Sequence, residues 1–340
     1  MSKYTISFCI ATYNRADATK KLIDELLRCK REDIQFVISD NYSNDGTWEI
    51  LTQYHDERLK ICKNESDGTS SAQSNWYNAL QHGDGEWLYL VMGGRDRLYS
   101  SKIDELVQKI KILDENYGVV LDRGVDIPIT DRIDEILLLP HYSHPTGVIF
   151  KKKAFEHVRN RKNIFTEKNN FPENVLSIEI MKKYRGISVN SGVYRGTKYI
   201  DIGNERSSFH KNKTLNSLWF MPNQLTKSIL QLIEITDSYS VVLPDKDFLK
   251  LQTELYQTGM SKVTYSFKIH SENIMKMRHH GLDARNVGQC EMLKNCLVFF
   301  MRYTGYCLKN NYKWFTGKFW VHIVGLTLKK MVEIVLLRNN

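Results

Sequence analysis

No uninterrupted apolar run in this chain approaches the roughly 18 residues that a membrane-spanning helix needs. The N-terminus also lacks the pattern of charge, long apolar core and small-residue cleavage site that marks an export signal. The expectation is a cytoplasmic protein, with contact to a membrane surface still open. The six cysteines, at positions 9, 29, 62, 290, 296 and 307, form no CxxC pair and no zinc-ligand spacing. Cys9 and Cys62 fall inside apolar, strand-like runs. Reduced, mostly structural thiols are therefore expected, and the spacing does not suggest a disulfide or zinc scaffold. There is no internal repeat and no low-complexity segment.

Acid is scarce in one part of the chain only. Residues 1–200 hold 29 Lys and Arg against 28 Asp and Glu, whereas residues 201–340 hold 19 against 11, so nearly all of the net +9 sits toward the C-terminus. From Met292 onward eight cations face a single acid, Glu333, and they interleave with aromatic residues such as Phe299, Tyr303, Trp314 and Trp320. A basic amphipathic stretch of this kind fits an anionic membrane surface; a helical cap whose apolar face packs on the rest of the protein is the other reading. No nucleic-acid motif appears and the cations are spread along apolar helices, so nucleic acid is not an expected partner.

With 340 residues, the chain is long enough for a large core and one or two domains. Its first part alternates strand and helix. Thr5–Arg15 reads as an apolar strand ending in small and aromatic residues, Ala16–Arg28 as an amphipathic helix, and Gln35–Thr47 as a second strand running into a turn of Asp, Asn, Ser and Gly. Two such units in succession imply a parallel sheet. Further strands are expected at Arg58–Lys63, Glu86–Met92, Tyr117–Leu121 and Thr146–Phe150, with helices at Ser70–Gln81, Ser101–Leu113 and Asn170–Tyr184, the last opened by Pro172. From about Leu215 long amphipathic patterns take over. The expected division is therefore an α/β domain over 1–214 and a basic helical region over 215–340.

Polar loops at the carboxyl ends of parallel strands are where open α/β sheets bind ligands. Three such ends stand out: SFCIATYNR in the first strand, VISDNYSNDGT in the second, and EWLYLVMGGRDRL in the fourth. In content and order they resemble the nucleotide-binding half of the family 2 glycosyltransferases of the GT-A fold, over roughly residues 4–200. The resemblance implies a Rossmann-like, mostly parallel sheet and a nucleoside diphosphate sugar, here a UDP-sugar, held across the ends of the first two strands. Thr12, Tyr13 and Arg15 then belong to the first loop around the base, and Asp40 accepts the uracil N3 hydrogen bond, for which an ionised carboxylate is suited. Asp40 could instead open an Asx turn. Asn41, Ser43 and Asp45 are expected to hold the loop's shape.

Where relatives carry Asp-x-Asp on a Mn²⁺ or Mg²⁺ ion, this chain reads Gly94, Arg95, Asp96. Asp96 is the expected metal ligand, with Gly94 and Arg95 beside the diphosphate; Arg95 could supply a fixed positive charge, and Asp96 could merely cap a following helix. His210 is a candidate further ligand by the same resemblance. An inverting transfer also needs a carboxylate base, and Glu173, at the start of the helix opened by Pro172, is the match. Glu173 could instead simply complement that helix's dipole. His141, Tyr142 and His144 are candidates for contact with an acceptor sugar.

The resemblance thus implies an enzyme that moves a hexose or N-acetylhexosamine from a UDP-sugar to a glycan or lipid-linked glycan. A capsule, lipopolysaccharide or related cell-surface polysaccharide is the expected product, made at the inner face of the membrane. Two rivals stand beside it: a degenerate nucleotide-sugar-binding protein without catalysis, and a nucleotidyltransferase.

Overall fold

The computed structural model describes residues 2–65, 71–93, 96–122, 130–132, 145–166, 169, 172–197, 246–257, 260, 289–309 and 317–336. Two compact units divide the chain, Met1–Ser208 and Phe209–Asn340. Gly94, Arg95, His210 and the His141, Tyr142, His144 segment lie outside the described residues.

In the first unit the strands are β1 (Ile6–Thr12), β2 (Ile34–Asp40), β3 (Leu59–Lys63), β4 (Trp87–Met92), β5 (Asp96–Leu98), β6 (Tyr117–Asp122), β7 (Val148–Lys151), β8 (Arg185–Val189) and β9 (Tyr194–Thr197). Seven of them form one sheet in the order β3-β2-β1-β4-β7-β6-β8. The pairs β1/β2, β1/β4, β2/β3 and β6/β8 are parallel, and only β7 runs against its neighbours. β5 and β9 make a separate antiparallel ribbon. The chain winds outward from β1 to β3 and then returns to place β4 on the other side of β1. Such a reversal of strand order opens a crevice at the carboxyl ends of the two strands that flank it.

Every residue of β1 and β2 is buried. Strands covered on both faces read as near-continuous apolar runs, as ISFCIAT and IQFVISD do. Phe8 packs its ring 5.0 Å from Tyr89 on β4 and 5.7 Å from Phe36 on β2, measured between centroids. Each such side chain, fully removed from water, contributes roughly 1.5–3 kcal/mol.

Helix α1 (Ala16–Leu26) buries Leu22, Ile23 and Leu26; α2 (Thr47–Leu51) is a single turn, and α3 (Ala72–Gln81) starts from a cap in which Ser71 accepts the Ser74 N–H at 3.0 Å. The helix expected from Ser101 begins as a 3₁₀ turn, Ser100–Lys102, and becomes α4 at Ile103–Lys111. Of Ile103, Leu106, Ile110 and Leu113, which recur at helical spacing, the first three are buried and Leu113 is half-buried. Beyond β7 come α5 (Lys152–His157) and α6 (Pro172–Met181).

The second unit is helical in all its described residues: α7 (246–257), α8 (Gln289–Lys309) and α9 (Gly317–Leu336). Tyr256 ties the three together. Its ring lies 5.3 Å from Phe299 and 4.6 Å from Tyr303 on α8, and its hydroxyl is 2.6 Å from the Thr327 hydroxyl on α9. No described helix is long and apolar enough to cross a membrane.

Candidate active site

The site is built from the row in which β2, β1 and β4 end together. Thr12 is opposite Asp40, and Ala11 is opposite Met92. Pairing continues one residue beyond each strand: Asn41 N donates to Thr12 O at 3.0 Å, Asn64 N to Asp40 O at 2.9 Å, and Gly93 N to Ala11 O at 2.8 Å. At Gly93 a Cβ would stand 2.7 Å from that same carbonyl, so the close approach of the fourth strand's loop to the first strand requires glycine.

The first and second loops are stapled to each other. Asn14 N donates to Ser43 Oγ at 2.8 Å, Asn44 N to Asn14 Oδ1 at 2.9 Å, Arg15 N to Thr47 Oγ1 at 3.2 Å, and Ala16 N to Asp45 Oδ2 at 3.1 Å. Asn14 adopts the left-handed conformation that asparagine tolerates better than most residues. Asp45 also accepts from the Thr47 N–H and hydroxyl. Burial pushes the Asp45 carboxyl upward, but these hydrogen bonds outweigh it and leave it below its ordinary value.

Asp40 is fully buried, and its carboxylate serves its own loop first. Oδ2 accepts the Ser43 N–H at 3.0 Å and Oδ1 the Ser43 hydroxyl at 2.5 Å, three residues on and so not the two-residue Asx turn. Two of a carboxylate's roughly four acceptor positions are thereby filled. Thr12 is also buried and turns its hydroxyl inward to Thr19 at 2.7 Å. Tyr13 and Tyr42 are the exposed aromatic groups of these two loops. Tyr42 has φ 58°, an uncommon conformation for so bulky a residue.

A polar layer on α3 supports the loops from below. Asn75 donates to the carbonyls of Thr12 and Ser39, both at 3.1 Å, and accepts the Ser39 hydroxyl at 2.5 Å. Asn78 donates to Ser39 Oγ at 2.8 Å and to Lys63 O at 3.1 Å, while Asn64 bridges Asn41 and Ser74. All these asparagines are buried. A buried polar group without a partner costs roughly 1–3 kcal/mol, so this layer fixes the strand ends relative to one another. Composition alone reads α3 as an ordinary half-polar helix; the spacing of Asn75 and Asn78, three residues apart on one face, is the one signal that could have marked the layer.

Asp96 opens β5 instead of capping a helix, which removes that alternative. It is 6% exposed and accepts the hydroxyl of Thr146, which in turn accepts the Met92 N–H at 2.8 Å. Thr146, unassigned in the sequence reading, therefore ties Asp96 to the end of β4. Among the described residues no three His, Cys, Asp or Glu side chains cluster to hold a metal. One carboxylate in a fixed position fits a Mg²⁺ or Mn²⁺ ion shared with substrate phosphates and water, and does not fit an ion caged by protein alone.

Glu173 stands in the first turn of α6, 2% exposed, with Oε1 accepting from Asn174 Nδ2 at 3.0 Å. Asp122, at the end of β6, is fully buried and bonds to the Ser191 N–H, the Ser191 hydroxyl and the Tyr89 hydroxyl. Burial pushes its carboxyl above the ordinary value despite those bonds. It links β4, β6 and the segment leading to β9, a structural position.

Known proteins provide the context for this geometry. No curated protein sequence matches the chain. In structure it is similar to residues 1–349 of TarS from S. aureus, with 14% identity and a TM-score of 0.56 over 87% of this chain and 80% of that one. It is also similar to the mannosyltransferase PcManGT from Pyrobaculum calidifontis, solved with GDP-Man and Mn²⁺, with 14% identity and a TM-score of 0.51 over 97% and 87%. The family described as "Glycosyl transferase family 2" matches residues 7–127, which span the first, second and fourth strand ends and Asp96. Residues 7–127 thus resemble the family 2 glycosyltransferases, and the sheet domain shares the GT-A fold of these two solved structures.

Proposed function

We propose that the protein is an inverting transferase that moves a hexose or N-acetylhexosamine from a UDP-sugar to a glycan acceptor. The observation that carries this reading is the joining of three loops at one sheet edge, with Asp96 tied to that edge through Thr146. The first and second loops receive the nucleoside. Tyr13 offers an exposed ring to the base, Asn41 and Arg15 shape the wall, and Asp40 brings its remaining acceptor capacity to the uracil imide. A divalent ion, as in the Mn²⁺ complex of the mannosyltransferase, would be held by Asp96 and would neutralise charge on the departing diphosphate. Arg95, Gly94 and His210 are proposed neighbours of that diphosphate and ion.

Glu173 is the proposed base. Its carboxylate takes the proton of the acceptor hydroxyl as that oxygen bonds to the sugar's C1, and the C1–O bond to the diphosphate breaks with its electron pair leaving on UDP. Attack opposite to the leaving group inverts C1. The acceptor is proposed to be a lipid-linked glycan of a capsule, lipopolysaccharide or related polymer. The helical region would then bring the enzyme to the inner face of the membrane as a peripheral protein.

A second reading keeps the donor site and removes the chemistry: Asp96 stands without the first acid of the usual triplet, so a nucleotide-sugar-binding protein is the rival. A mass-spectrometric screen of nucleotide sugars for binding and hydrolysis separates the two. Hydrolysis or transfer of one donor supports the enzyme; binding with no turnover supports the rival.

A further inference from the structure

We infer that α9 lies in the plane of an anionic bilayer and inserts one defined face, formed by Val321, Val324, Leu328, Val332 and Val335. This goes beyond the transfer reaction and does not depend on it. The sequence marks the whole segment from Met292 as basic and amphipathic, but not which of its apolar residues are spent on packing.

Phe319, Ile323, Thr327 and Ile334 are the buried side of α9. The five inferred positions are 40–74% exposed and follow one another at steps of three, four, four and three residues, which puts them on a single stripe. That stripe extends about 21 Å along the helix. The partner helix α8 repeats the design: Cys296, Phe299, Tyr303 and Cys307 are buried, while Leu297, Met301 and Leu308 are exposed. Eight of the twelve exposed large apolar side chains among the described residues belong to these two helices, so the exposure is concentrated and not the scatter that any surface shows.

Charge selects the occupant. Eight Lys and Arg against one acid follow Met292, and that acid, Glu333, is paired with Lys330 at 2.6 Å. Lys294, Arg302 and Lys329 are exposed on the same helices. Apolar side chains flanked by cations are what an interfacial helix on anionic lipid requires. A second copy of the chain would bring like charges together, and the stripe lacks the flanking opposite charges that specify a coiled-coil seam.

The test is cosedimentation of the full chain with vesicles of phosphatidylcholine alone and of phosphatidylcholine with phosphatidylglycerol. The wild type should bind the anionic vesicles and lose only part of that binding in high salt. Leu328→Asp with Val332→Asp should weaken it by at least about tenfold, since both positions are exposed and their change spares the packed side. Ile112→Asp, at an exposed site in the other unit, should leave it unchanged. Thermal melting and UDP titration confirm that the variants are folded with the donor site intact, so a failure here is separable from a failure of the transferase reading. Equal binding by wild type and double variant, or no binding by the wild type, overturns the inference. A wild-type dimer that the double variant converts to monomer, without vesicle binding, overturns it in favour of a second copy.

Discussion

Thr146 donates its hydroxyl hydrogen to Asp96 and receives the Met92 N–H on the same oxygen. One side chain from the approach to β7 thus sets both the end of the fourth strand and the carboxylate proposed to meet the metal. Thr146→Val should raise the Mn²⁺ concentration needed for half-maximal activity and cost roughly 1 kcal/mol of stability, because the half-buried Met92 N–H loses its acceptor. Thr146→Ser should restore both. If the valine variant matched the wild type in metal dependence, the hydroxyl would have no positioning role.

Asp40 and its loop separate by substitution. Asp40→Asn keeps an acceptor for the Ser43 N–H but loses the carboxylate, so UDP affinity should fall by roughly 1.5–3 kcal/mol, the range for a hydrogen bond to a charged group, with little change in melting temperature. Asp40→Ala should lose stability as well. Unaltered UDP affinity in Asp40→Asn, read by calorimetry, would mean the carboxylate serves only its bonds to Ser43.

Glu173→Gln should leave UDP affinity intact and cut transfer by roughly 100-fold, the lower end of general-base contributions. A variant that transfers at the wild-type rate would reduce Glu173 to a partner of Asn174 at the start of α6.

Far from the site, Arg31 grips Asp33 with two hydrogen bonds, at 2.8 and 2.7 Å, and Lys111 and Thr5 add one each at 3.0 Å. Led by the Arg31 bonds and opposed by burial, these hold the Asp33 carboxyl well below the usual carboxylate range. The stability this contributes is present above the unfolded-state pKa, about 3.9, and is lost as pH falls through the folded-state value. Asp33→Asn should therefore cost about 1 kcal/mol near neutral pH. Urea unfolding should show the gap to wild type narrowing once the pH is below about 4; an equal gap at both ends would contradict the linkage.

The sheet was legible because its central strands are buried on both faces and announce themselves as apolar runs. The loop residues Ser43 and Asp45 were legible for a related reason: the string SDNYSNDGT has more hydrogen-bonding groups than a simple turn can use, and the structure spends them on stapling two loops. β5 and β9 escaped notice because they are three and four residues long, DRL and YRGT, and carry charge. The reversed direction of β7 was equally hidden, since an apolar strand reads the same in either orientation. The roles of Asn75 and Asn78 were not legible, because burial of an amide is set by tertiary partners, here the carbonyls of Thr12, Ser39 and Lys63.

The measurement that bears most directly on the proposed donor site is calorimetric titration of UDP into the full chain with and without Mn²⁺, for the wild type and for Asp96→Asn. The wild type should bind UDP and bind it at least about tenfold more tightly with Mn²⁺, roughly 1.4 kcal/mol, and Asp96→Asn should keep the metal-free affinity while losing that gain. Absence of UDP binding by the wild type, or an undiminished Mn²⁺ gain in Asp96→Asn, would contradict it.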